Sequence, residues 1–295
     1  MFQNILGNDK IKNLLQESVN NNKVSHSYLF VGKSGIGKKM IAKEFAKAIL
    51  CLGDNKYCDN CKSCLEFDGQ NNPDFFIVEP DGNAIKIDQI RNMQKGVQEK
   101  PIISRSKVYI IDNADFMTKE AQNALLKTLE EPPEFVTIIL IGENENEFLT
   151  TIKSRCMIIH FNSISDSDME KYLQENYNMN VTSNMLDVFQ GSIGKAIELK
   201  DKQEEYFIIE QAIENIEKED LIDLIKKLDI LYTSKDEIFD MLDYINIILL
   251  KKSKENVKYT DCIKIVENTK RRIDQNANYD MSIDNMLFNI WEEVV

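Results

Sequence analysis

Short apolar runs recur through the first 162 residues, with helical patterns between them. Residues 28–31, Tyr-Leu-Phe-Val, form an unbroken apolar run closing on Gly32, which predicts a strand buried on both faces. Residues 75–78, 108–111, 136–141 and 157–161 repeat the motif, each rich in β-branched or aromatic side chains. Between the runs, residues 9–21 carry Ile11, Leu14, Leu15 and Val19 at helical spacing. Residues 38–50 place Ile41, Phe45, Ala46 and Ile49 on one helical face. Thr118 can cap a further helix that Pro132-Pro133 stops. This alternation predicts an α/β domain with a mostly parallel sheet.

After about Asn162 the pattern becomes helical only. Residues 165–177, 182–190 and 193–200 predict three short helices, and from Gln203 onward about five more. The clearest stripe there is Leu221, Leu224, Ile225, Leu228 and Leu231. The class is α/β followed by all-α, and three domains fit better than two.

Charge narrows the functional options. The 295 residues hold 36 Lys+Arg against 49 Asp+Glu, a formal charge of −13, with 43% hydrophobic and 29% charged side chains. Wholesale disorder is excluded. A chain that held duplex DNA unaided would normally be basic, so protein partners are the better expectation. No apolar run approaches a membrane span, and the opening MFQNILGNDK lacks the signal-peptide pattern, so a cytoplasmic protein is expected. Six cysteines in such a compartment stay reduced.

Gly32-Lys33-Ser34-Gly35-Ile36-Gly37-Lys38-Lys39 nearly matches the phosphate loop G-x-x-x-x-G-K-[ST]. Gly32, Gly35, Gly37 and Lys38 are the candidate nucleotide contacts, since glycines let backbone N–H groups wrap phosphates and the Lys reaches them. The final position holds Lys39 where a hydroxyl should bind Mg²⁺, and an ammonium cannot ligate a metal. The strand ending in Asp112 then continues to Asn113, where hydrolysis needs a carboxylate to orient water. ATP hydrolysis by this chain is therefore not expected.

Cys51, Cys58, Cys61 and Cys64 form a Cys-x6-Cys-x2-Cys-x2-Cys cluster, suited to a closed tetrahedral shell around a structural Zn²⁺. An iron–sulfur cluster competes, although ferredoxin spacing usually puts the fourth Cys downstream beside Pro. Four free buried cysteines fit poorly with the polar neighbours Lys56, Asp59, Asn60 and Lys62. Cys156 and Cys262 read as packing residues, His26 and His160 as packed or capped side chains. The charges from Lys200 to Lys218 read as a solvated helix face, and Trp291 as an anchor of the last helix.

Taken alone, Arg155 in Ser154-Arg155-Cys156 reads as a helix-end cation. Its company changes that. The opening 2–9, the string His26-Ser27-Tyr28-Leu29-Phe30, the phosphate loop, the four cysteines, the string Asn123-Ala124-Leu125-Leu126-Lys127-Thr128-Leu129-Glu130-Glu131-Pro132-Pro133 and Ser154-Arg155-Cys156 together resemble bacterial DNA polymerase III clamp-loader subunits. The likeness covers the first 200 residues well, and the last 90 only in being helical.

The resemblance implies an AAA+ nucleotide-fold domain over 1–162 with a zinc module at 51–64. It further implies a three-helix lid over 163–204 and a helical collar over 205–295. Lys39, Asn113 and Gly194, the last standing where motor subunits carry a nucleotide-sensing Arg, resemble the family's non-hydrolysing delta-prime branch. Arg155 would then act in trans as a finger in a neighbouring subunit's ATP site. The implied partners are delta and gamma/tau subunits and, through the complex, the sliding clamp and primed DNA, with no membrane. The alternative is a gamma/tau-like clamp-loader ATPase.

Overall fold

Five strands form one parallel sheet in the order β2-β3-β4-β1-β5: β1 Ser27–Val31, β2 Phe75–Val78, β3 Lys107–Ile111, β4 Val136–Gly142 and β5 Met157–His160. The computed structural model describes residues 1–3 and 5–295; Asn4, inside the opening segment quoted for the resemblance, lies outside the described residues. Strand β1 is interior, between β4 and β5, with Tyr28 paired to Ile139 on one side and Met157 on the other. Such a strand has no face toward water, which is why its sequence is continuously apolar.

Its side chains still alternate between two cores. Tyr28 and Phe30 pack with Leu15 and Val19 of α1 (Asp9–Asn20) and with Ile41 and Phe45 of α2 (Lys38–Leu50). Leu29 and Val31 join the opposite core. The cysteine segment contributes a short helix, α3 (Lys62–Asp68), which the sequence reading did not separate from the insert. Helix α4 (Ile87–Val97) adds Ile90 and Met93 to the second core, and α5 (Lys119–Glu130) adds Leu125 and Leu129. The Thr118 hydroxyl accepts from Ala121 N–H at 3.2 Å, capping α5 as expected. A single turn, α6 (Thr150–Lys153), leads toward β5.

The remaining helices are α7 Asp166–Tyr177, α8 Ser183–Phe189, α9 Ile193–Glu198, α10 Gln203–Glu214, α11 Leu221–Lys227, α12 Ile230–Thr233, α13 Ile238–Ser253, α14 Lys258–Asp274 and α15 Tyr279–Val294. Beyond Gln203 there are six α-helices among the described residues, one more than the pattern predicts. The Leu221–Leu231 stripe accounts for it: the chain leaves helical geometry at Leu228 (φ −92°, ψ 22°), while Leu224, Leu228 and Leu231 all stay buried.

The chain divides into two compact units, Met1–Asp168 with Ser192–Gly194, and Met169–Gly191 with Lys195–Val295. In the second, α13 buries Met241, Leu242, Tyr244, Ile245, Ile248 and Leu249. One expectation fails here. Glu210, read as part of a solvated face, is buried and accepts hydrogen bonds from Thr182, Asn184 and Tyr244 at 2.8, 2.5 and 2.5 Å. Trp291 donates its indole N–H to the Glu219 carbonyl at 2.9 Å.

Candidate nucleotide and metal sites

The phosphate loop lies where β1 hands over to α2, at the carboxyl edge of the parallel strands, where α/β folds bind ligands. Gly35 (φ 70°) and Gly37 (φ 91°) take left-handed conformations that side chains resist. Lys38 is buried and turned onto its own loop, donating to the Gly32 and Lys33 carbonyls at 2.5 and 2.6 Å. Burial pushes its pKa down, against the pull of Glu143, Asp115 and Asp112.

Ser192–Gly194 belongs to the same unit and closes on the loop. Gly194 N–H donates to the Gly35 carbonyl at 3.1 Å. A Cβ on Gly35 would stand 2.0 Å from Ser192 Oγ, and one on Gly194 only 3.0 Å from Gly35 Cα. A side chain at 194 would thus start in crowded contact with the loop backbone, which would have to give way slightly.

Lys39, the second residue of α2, reaches across the sheet edge. Its Nζ lies 2.7 Å from Asp112 Oδ2, at the end of β3, and 2.5 Å from Glu79 Oε1, just past β2. Partial burial works against that ammonium, but the hydrogen bonds to Asp112 and Glu79 outweigh it and hold its pKa above the ordinary lysine value. The same hydrogen bond holds the Glu79 carboxyl below its usual range. Asn113 follows in an exposed left-handed turn (φ 49°), a conformation Asn tolerates. Asp115 Oδ2 accepts from Glu143 N–H at 2.9 Å. The residues present do not fit a magnesium ion at this loop: an ammonium pairs with the carboxylate that should face the metal.

Arg155 follows α6 on the surface, where it is exposed. Its Nη2 lies 2.8 Å from Glu130 Oε1, and Nη1 donates to the Thr151 carbonyl at 2.9 Å.

Cys51, Cys58, Cys61 and Cys64 converge, all four sulfurs lying within 4.8 Å of one another. The Cys51–Cys58 and Cys58–Cys64 sulfur separations are 3.4 and 3.9 Å. Four ligands about 2.3 Å from a tetrahedral ion stand roughly 3.8 Å apart, so the cluster could hold a metal ion such as zinc. Burial pushes the Cys61 thiol up, but N–H groups of Leu52 and Cys64 at 3.5 Å outweigh it and bring it to about 6, toward the thiolate a metal needs. Lys47 ties the module to α2 through Asp59 at 2.6 Å and Asp68 at 2.8 Å.

Sequence reasoning missed Glu79, Glu143 and Glu130. A usable signal existed for the first two: each directly follows a strand, β2 or β4, at the ligand-binding edge. Glu130 lay within the string that resembles clamp-loader subunits, but its pairing with Arg155 joins segments distant in sequence and was not legible.

A parallel sheet with a phosphate loop after one of its interior strands, and a four-cysteine module, define a P-loop nucleotide-fold protein. Residues 7–165 match the family described as "DNA polymerase III, delta subunit". The chain belongs to that family, and so to the clamp-loader proteins of DNA polymerase III that its motifs resemble. It is 36% identical to DNA polymerase III subunit delta' of Bacillus subtilis over 66% of this chain and 60% of that one. It is 31% identical to subunit tau/gamma of Haemophilus influenzae over 68% of this chain and 30% of that one. The chain therefore spans less than two thirds of either relative. A gamma subunit-related protein of Thermotoga maritima shares the fold, with TM-score 0.50 and 18% identity over 97% of this chain and 99% of that one. Among the described residues no helix is long and apolar enough to cross a membrane.

Proposed function

We propose that this chain is a delta-prime-type subunit of a DNA polymerase III clamp loader, without ATP hydrolysis of its own, that completes a neighbouring subunit's ATP site with Arg155. One contrast carries the reading: the phosphate loop is sealed by Lys38 on its own carbonyls and by Gly194 on Gly35, while Arg155 stands exposed. A guanidinium offered in trans stabilises charge developing on a transferred phosphoryl group, so a subunit can lose its own chemistry and still serve its neighbour's. The Glu130 pair does not prevent this, because ion pairs at the surface are weak and a triphosphate is the stronger anion.

On this reading residues 163–204 act as a lid and 205–295 as a collar joining delta and gamma/tau. The cysteine module holds a structural Zn²⁺, and the complex, in the cytoplasm, engages the sliding clamp and primed DNA. Likeness to tau/gamma proteins keeps a motor reading as the rival, against which stand Lys39, Asn113 and Gly194. The test is a complex rebuilt with the delta and gamma/tau subunits and Arg155→Ala. Assembly stays intact, and turnover at the adjacent site falls on the order of 10³-fold, as for other trans fingers. Unchanged turnover in an intact complex removes the assignment.

A further inference from the structure

We propose that the Lys39 side chain is a tethered cation occupying the divalent-metal position of this phosphate loop, so that the site is filled by the chain itself. The P-loop pattern places a metal-binding hydroxyl at this residue, and β3 supplies the facing carboxylate in Asp112. In this chain the ammonium links Asp112 at 2.7 Å with Glu79 at 2.5 Å, drawing two carboxylates from different strand ends onto one positive centre. That is what a bound Mg²⁺ does with one or two carboxylates, at metal–oxygen distances near 2.1 Å.

The ammonium differs in one respect that decides the outcome. It cannot diffuse away. A group held by its own side chain competes at an effective concentration on the order of millimolar or above, so a free divalent ion must displace a partner that is always present. Asp112 is buried at 7% exposure, and removing its counter-ion would leave a desolvated carboxylate without its ion-pair partner. The substitution that removes the metal ligand therefore also neutralises the carboxylate the metal would have neutralised. This inference concerns the chain's own loop and does not depend on Arg155 or on assembly.

Mn²⁺, a spectroscopic substitute for Mg²⁺, tests it by electron paramagnetic resonance titration of the full chain, zinc-loaded so that the cysteines are occupied. The wild-type chain shows no Mn²⁺ site that depends on Asp112. Lys39→Thr gains one site binding at least tenfold more tightly than any the wild type has there, and Lys39→Thr with Asp112→Asn loses it. Absence of any gain in folded Lys39→Thr overturns the proposal, as does an Asp112-dependent site in the wild type. Thermal melting of Lys39→Met, Asp112→Asn and the double variant covers the case in which Lys39→Thr does not fold. Coupled ions give a double variant that melts no lower than the worse single one, and additive losses overturn the proposal. Neither result bears on whether Arg155 serves a neighbour.

Discussion

Asp74 shows how much one buried carboxylate can organise. It is fully buried and accepts the backbone N–H groups of Ile102, Ile103 and Ser104 at 2.7, 2.8 and 2.6 Å. Three donors on one anion hold a loop that side-chain packing alone would leave loose. Asp74→Ala strands all three, and at roughly 1–3 kcal/mol per unmet buried donor, reduced by relaxation, a loss of about 3–5 kcal/mol is expected. Urea denaturation monitored by circular dichroism measures it, and a loss under about 1 kcal/mol would mean the loop finds other partners. Such residues are nearly silent in sequence. Asp74 precedes a strand and looks like any turn residue, just as Glu210 looks like one more charge on a polar helix. Both are identified only by donors far away along the chain.

Elements were far more legible than their partnerships. Strand β1, its glycine loop and α2 were readable because burial on both faces leaves a continuous apolar run and the loop has fixed residue requirements. The Leu221–Leu231 stripe misled because a buried face can continue across a break in backbone geometry. The cysteine module was visible as spacing, but its attachments were not. Ser63 Oγ meets Ser104 Oγ at 2.9 Å, and Asn72 Nδ2 donates to the Ser63 carbonyl at 2.9 Å, so α3 is fixed to the loop that Asp74 holds. With the proposed zinc bound, these attachments make the module's response to metal loss local. Chelation, or Cys64→Ser, should raise amide exchange across 51–68 by tenfold or more while β1, β3 and β4 keep their protection. Hydrogen exchange with mass spectrometry reads this segment by segment, and loss of protection throughout the sheet would show instead that the metal supports the whole unit.

At the scale of the molecule, acidity and the closed loop point the same way. With a formal charge of −13, the chain offers no general attraction to a nucleotide's phosphates. Four carboxylates, Glu79, Asp112, Asp115 and Glu143, surround or face Lys38 and Lys39. The purified chain is therefore expected to show no steady ATP turnover above that of a Lys38→Ala control, in a coupled assay with Mg²⁺ present. Turnover that disappears in that control would return the chain to the motor class.

The seam between Gly35 and Gly194 has a consequence for how this loop can change. Two residues without side chains meet there, so no truncation at either can make more room. Added bulk at Gly35 would strain its left-handed turn, and added bulk at Gly194 would press on Gly35. Widening this seam would therefore take a shift of the loop backbone, with no trimming of a side chain at either glycine as a first step.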